Sequence, residues 1–142
     1  MDDPSDRAAI AEMYARYAFA LSTQNWSELD RFVLADASYD ATAYGAPSVM
    51  PWSEFRSWAA EALSAVQGFH TVTGVLVDDL SDFGAKATAC FVAALSADAG
   101  DGTRIEISEG GWFFDDLVRT TEGWRVQARV EKLGFMRTSG AP

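Results

Sequence analysis

His70 is the only histidine in the chain, and so the only side chain whose ordinary pKa lies near neutrality. An imidazole on a strand either takes part in proton transfer or hydrogen-bonds within a core, and the sequence alone leaves both open. A zinc site needs further ligands, and one histidine beside one cysteine, Cys90, does not supply them. Tyr17 falls at helical spacing with Ile10, Met13, Tyr14 and Leu21, which puts its phenol at the edge of an apolar stripe. There it packs as a core ring or donates a hydrogen bond to a substrate oxygen without changing charge. Tyr14 stands one turn earlier as a weaker copy. Tyr39 and Asp40 are neighbours on an expected strand, so only one of them can face a pocket.

Arg129 shares one strand face with Arg125, Gln127 and Glu131, opposite Trp124, Val126, Ala128 and Val130. Turned outward, Arg129 is a solvated or partner-facing cation. Turned inward, it is a substrate-binding or buried cation near His70 that would hold the imidazole neutral. Asp115 is expected to pair with Arg119 or to cap a turn, and Cys90 to fill an alanine-sized place in the core. Asp78, Asp79 and Asp82 lack the ligand spacing of a calcium loop and read as a solvated turn.

The elements that must position these groups follow from periodicity. Asp3, Pro4 and Ser5 supply a helix start, and residues 22–25 break that helix. A second, shorter helix is expected from Asn25 or Ser27, burying Trp26, Leu29, Phe32 and Val33. Residues 36–42 read as a short strand. Residues 52–66 read as a third helix with Phe55, Trp58 and Ala59 on its stripe and Gly68 as its stop. The remainder reads as sheet, with strands over 69–77, 83–96, 103–119 and 124–136. Three helices with one strand among them, followed by antiparallel strands, make an α+β pattern in one domain over 1–142. A curved sheet with helices packed on one face makes a cone closed over a blind apolar pocket. Trp26, Phe55, Trp58, Phe91, Trp112 and Phe114 are the candidates for its wall, and Tyr39 for its polar edge.

Composition bounds the class. The chain has 142 residues, 49% of them hydrophobic and 13% aromatic, enough for one well-buried core. Acidic residues outnumber basic ones 21 to 11, and a net charge of −10 repels nucleic acid. No apolar run approaches the roughly 20 residues of a membrane span, and the acidic start MDDPSDR is unlike a secretory signal. A cytoplasmic protein is the expectation.

Three blocks carry a resemblance: DRAAIAEMYARYAFAL with NWSELDRF, then FHTVTGV, then GGWFFDDLVRTTEGWRVQAR. Together they span about residues 6–132 and resemble the SnoaL-like domain of the nuclear-transport-factor-2-like superfamily. The resemblance implies a cone-shaped α+β barrel, often dimeric through its sheet, that acts on compact apolar rings and needs no cofactor. In dehydratase-like members a first-helix tyrosine, an aspartate five residues later and an inward histidine work together. Those positions match Tyr17, Ser22 and His70. A serine can fix a tautomer but cannot stabilise an imidazolium by charge. Gly74 stands where an asparagine is common, and Phe113 where the last hairpin has a tyrosine. With that dyad broken, the expected function is a cyclase or isomerase of a polyketide-like or cyclic hydrophobic molecule, with Tyr17 and His70 as hydrogen-bonding groups. A dehydratase using His70 as base and a non-catalytic binding protein are the alternatives, and a homodimer is the expected assembly.

Overall fold

The computed structural model describes residues 3–139, so both ends of the expected 1–142 domain lie outside the described residues. Helix α1 (Pro4–Ser22) starts where Asp3 accepts a hydrogen bond from the Ser5 N–H at 2.8 Å, with Pro4 in the first turn. Its buried face carries Ile10, Met13, Tyr14, Tyr17, Ala18 and Ala20. Helix α2 (Trp26–Leu29) is one turn, capped by Asn25. Phe32 and Val33 do not continue it. The Phe32 carbonyl accepts from Val126 N–H at 2.8 Å, and strand β1 (Val33–Asp40) begins there.

Two-residue strand β2 (Met50–Pro51) leads into α3 (Trp52–Ala62), and β3 (Val66–Asp78), β4 (Gly84–Asp98), β5 (Arg104–Thr120) and β6 (Gly123–Ser139) follow. One mixed six-stranded sheet results, in the order β2-β1-β6-β5-β4-β3, with β1 parallel to β6 and the other pairs antiparallel. The sheet is curved and open, and the expected α+β class with a cone-like sheet holds. Among the described residues no helix is long and apolar enough to cross a membrane.

The third helix ends at Ala62 rather than Val66, and Gly68 is not its stop. The Gln24 side-chain amide donates to the Leu63 and Val66 carbonyls, at 2.9 Å each, and so caps the helix end with a residue from another element. Gly68 lies inside β3 at φ +144°, where a Cβ would collide with the Ala94 carbonyl oxygen. It allows β3 and β4 to approach, a role that resembles a helix stop in sequence.

Strand phase decides which side chains reach the interior. Opposed residues on paired strands share a face, so Cys90 with Trp112 and Thr88 with Phe114 lie on one side. That side is the outer one: Trp112 and Phe114 are 42% and 46% exposed, and Cys90 is half-buried beside them rather than in the core. The interior side carries Ala85, Ala87, Ala89 and Phe91 from β4 and Phe113, Asp115 and Leu117 from β5. On β6 the alternation breaks. Asp116 pairs with Ala128 and Leu117 with Val126, leaving Gln127 as an extra residue. This bulge puts Trp124 and Val126 on the same interior side as Arg129 and Glu131, residues that strict alternation assigns to opposite faces.

Candidate functional site

Between α1, α3 and the inner sheet face lies a cavity of about 170 Å³. Its helix-side wall is Trp52, Phe55 and Trp58, with Phe55 stacked on Tyr39 at 4.1 Å between ring centroids. The sheet-side wall is Phe91 stacked on Phe113 at 4.6 Å, with Tyr44 tilted against Phe91. Each ring is held by another, so the walls are set before any ligand arrives. Gly111 lets Tyr44 pack against the sheet, because any side chain there would collide with the Lys132 carbonyl and the Tyr44 hydroxyl.

Few polar groups reach this space. His70 projects into it from β3, and its buried Nδ1 has no hydrogen-bond partner. Burial lowers its pKa from 6.5 to about 4, so the ring is neutral at physiological pH. The Ser22 hydroxyl is within reach of the main chain only: it accepts from His70 N–H at 2.8 Å and faces the Ala18 and His70 carbonyls. Ser22 therefore docks α1 on β3 and does not touch the imidazole.

Glu131 and Glu109 also line the cavity. Burial raises the Glu131 carboxyl from 4.5 to about 7, against the opposing pull of Arg129 and of a hydrogen bond from Tyr39. Glu109, half-buried on β5, is raised by burial alone. Beneath Glu131 runs a closed polar network. Arg129 grips Asp115 with two hydrogen bonds of 2.8 and 2.7 Å and donates to the Tyr39 hydroxyl at 3.0 Å. Tyr14 donates to Asp115 at 2.5 Å, and Tyr39 donates to Glu131 at 3.1 Å. Tyr39 has one proton, so Tyr17, 2.8 Å away, is the donor in their contact. Arg129 also lies over the Phe113 and Tyr17 rings, at 3.8 and 4.6 Å from their centroids.

The structure brings Tyr17, Trp26, Tyr39, Phe55, Trp58, His70 and Phe91 to one cavity. Trp112 and Phe114 are turned away from it by strand phase, and Phe113 takes their place. Tyr14 and Arg129 lie under the floor rather than on it. Arg129 has no exposed side-chain surface and pairs with Asp115, so Asp115 is not the partner of Arg119. Arg119 pairs with Asp6 instead. Asp40 points away from the cavity and holds Thr42. Glu109 and Glu131, with Tyr44 and Trp52, are site groups that the residue pattern did not single out. The two odd-numbered carboxylates on adjacent strands were the available signal, but the bulge at Gln127 hides their common orientation.

A more open groove of about 530 Å³ runs past Glu12, Arg16, Arg31, Glu122 and Arg125. Its arginines are paired with glutamates in their own segments, so it offers no free reactive group comparable to the cavity's.

Comparison with known proteins bears on the fold. The chain is 29% identical over 136 residues to an uncharacterized protein of Mycobacterium tuberculosis, covering 94% of this chain and 88% of that one. A Kribbella flavida protein superposes with a TM-score of 0.82 at 24% identity, covering 96% of this chain and 95% of that chain. A hexachlorocyclohexane dehydrochlorinase superposes at 0.75 with 13% identity, covering 97% and 91%. At such identities the structural likeness speaks for architecture and leaves the chemistry to the site. The family pattern itself spans residues 3–130, from the α1 cap to the strand that carries Arg129, and by that match the chain belongs to the SnoaL-like domain family.

Proposed function

We propose that the protein is an acid–base enzyme of isomerase or cyclase type that acts, with its own side chains, on a compact and largely apolar cyclic or polyketide-like compound. The observation that carries this reading is Glu131, a carboxyl inside an aromatic cavity with its pKa raised to about 7 and its position fixed by Tyr39. A base titrating near the working pH is the group best suited to remove and return a carbon-bound proton. Glu131 takes the proton α to a substrate carbonyl, and negative charge develops on the carbonyl oxygen. The neutral imidazole of His70, which carries one N–H, is the available donor to that oxygen. Returning the proton to another carbon completes an isomerisation. Attack of the enolate carbon on a second carbonyl, with the proton delivered to the new alkoxide, completes a cyclisation.

This assignment moves the proton from His70 to Glu131. A histidine titrating near 4, with no carboxylate behind it, is too weak a base for the dehydratase reading. The hydroxyl of Tyr17 is committed to Tyr39 and supports Glu131 rather than the substrate directly.

The test needs no natural substrate. Wild-type protein in heavy water is expected to wash deuterium into the α-carbons of β-tetralone, as followed by NMR, with a rate that rises through about pH 7. Glu131→Gln is expected to lower that rate by roughly 10²-fold or more. His70→Gln is expected to lower it less and leave the pH limb in place. Exchange that survives Glu131→Gln overturns the assignment. Binding of the ketone with no exchange in the wild type favours the non-catalytic alternative.

A further inference from the structure

Resting on the reading of the cavity as the substrate site, we propose that its ligand carries a basic nitrogen: Glu109 and Glu131, set among aromatic rings, receive a compact ring compound bearing an ammonium group. Two carboxyl groups line a cavity whose walls contain no lysine and no arginine. The cation beneath them is already used. Arg129 gives two hydrogen bonds to Asp115 and one to Tyr39, and the Arg129–Asp115 pair is neutral as a unit. His70 is uncharged and supplies no counter-ion. Among the described residues Glu109 has no hydrogen-bond or ion-pair partner, and its raised pKa has burial as its one cause.

A neutral ligand filling this space would strip water from both carboxyl groups and return nothing for it. An anionic ligand would add repulsion. An ammonium group restores the charge balance, and the cavity is lined by Trp26, Trp52, Trp58 and Tyr44, rings of the type that attracts cations. The net charge of −10 draws a cationic ligand toward the protein as well. The two carboxyl groups then divide the work. Both are half-buried; Glu109, which has no partner among the described residues, anchors the nitrogen, while Glu131, held by the hydrogen bond from Tyr39, remains available for the proton.

Three probes of one shape and different charge test this: phenethylammonium, phenethyl alcohol and phenylacetate, bound near pH 8 and followed by quenching of the cavity tryptophans. The cation is expected to bind at least about tenfold more tightly than the alcohol, to compete with it for one site, and phenylacetate to bind weakest. Glu109→Gln is expected to remove most of the gap between cation and alcohol, whereas Glu12→Gln, a surface change, leaves the gap intact. If the alcohol binds as well as the cation, or the gap survives Glu109→Gln, the inference falls while the cavity stands as a ligand site. If none of the three binds, the substrate-site reading falls with it.

Discussion

Glu131 and His70 share a cavity, and burial shifts their pKa values in opposite directions because it disfavours whichever form is charged. Between pH 4.5 and about 7 the folded chain holds a proton on Glu131 that the unfolded chain has lost, so stability falls as pH rises through that window. Between about 4 and 6.5 the unfolded chain protonates its histidine while the folded chain does not, so stability rises with pH there. The two slopes are equal and opposite where the windows overlap, and in the wild type they cancel. Each single variant uncovers the other group. His70→Gln is expected to lose stability with rising pH, and Glu131→Gln to gain it, each by on the order of 1 kcal/mol per pH unit relative to wild type. Denaturant midpoints at pH 5 and pH 6.5 check this, since both values lie in the overlap of the shifted ranges. Parallel slopes in the two variants would refute the pairing. His70 stood out by residue type as the one imidazole, and its inward orientation was implied by the resemblance of the FHTVTGV strand. Glu131 did not stand out, because a carboxylate on a mixed polar face reads as solvent-facing until the strand's phase is known.

Phase belongs to the elements. The alternation of Ala85, Ala87, Ala89 and Phe91 on β4 was readable, and the structure keeps it. On β6 the same logic fails after Val126, because a single looped-out residue carries no marker in the sequence. The end of α3 was misread for a related reason: a glycine is equally apt at a helix stop and at a close strand crossing. The two roles differ in energy. Gly123 has φ +112° in a turn with open space around it, so Gly123→Ala should cost about 1–2 kcal/mol from backbone strain alone. Gly68 adds a collision with the Ala94 backbone to its positive φ, and that backbone can move only by parting β3 from β4. Gly68→Ala is therefore expected to cost at least about twice as much as Gly123→Ala, measured by chemical unfolding. It should also weaken ligand binding, since His70 stands two residues along the same strand. Equal costs at the two glycines would show that the strands tolerate separation there.

At the scale of the whole molecule, the helices, whose existence but not whose ends followed from their stripes, cover only one face of the sheet. The other face leaves Phe69, Val92, Trp112, Phe114 and Phe135 between 42% and 72% exposed. A contiguous apolar face of this kind is unusual on a protein that works alone. The homodimer expected from the sequence remains a proposal, and this face is where a second copy would sit. A two-fold axis would set the same rings of both copies against each other and bury them without needing opposite charges. That matters because each copy carries −10, so approach is opposed by long-range repulsion and favoured only by apolar contact. Salt should then act opposite to its effect on an ion-paired interface. Screening shortens the reach of the repulsion to about 8 Å at physiological ionic strength and leaves the apolar term intact. Light scattering is expected to give twice 15.4 kDa, with the dimer tightening as salt rises. Trp112→Glu with Phe114→Glu is expected to yield a monomer of unchanged far-ultraviolet circular dichroism that still binds ligand, since neither ring lines the cavity. A wild-type monomer at tens of micromolar or more, or a dimer that salt dissolves, would remove the second copy from this face.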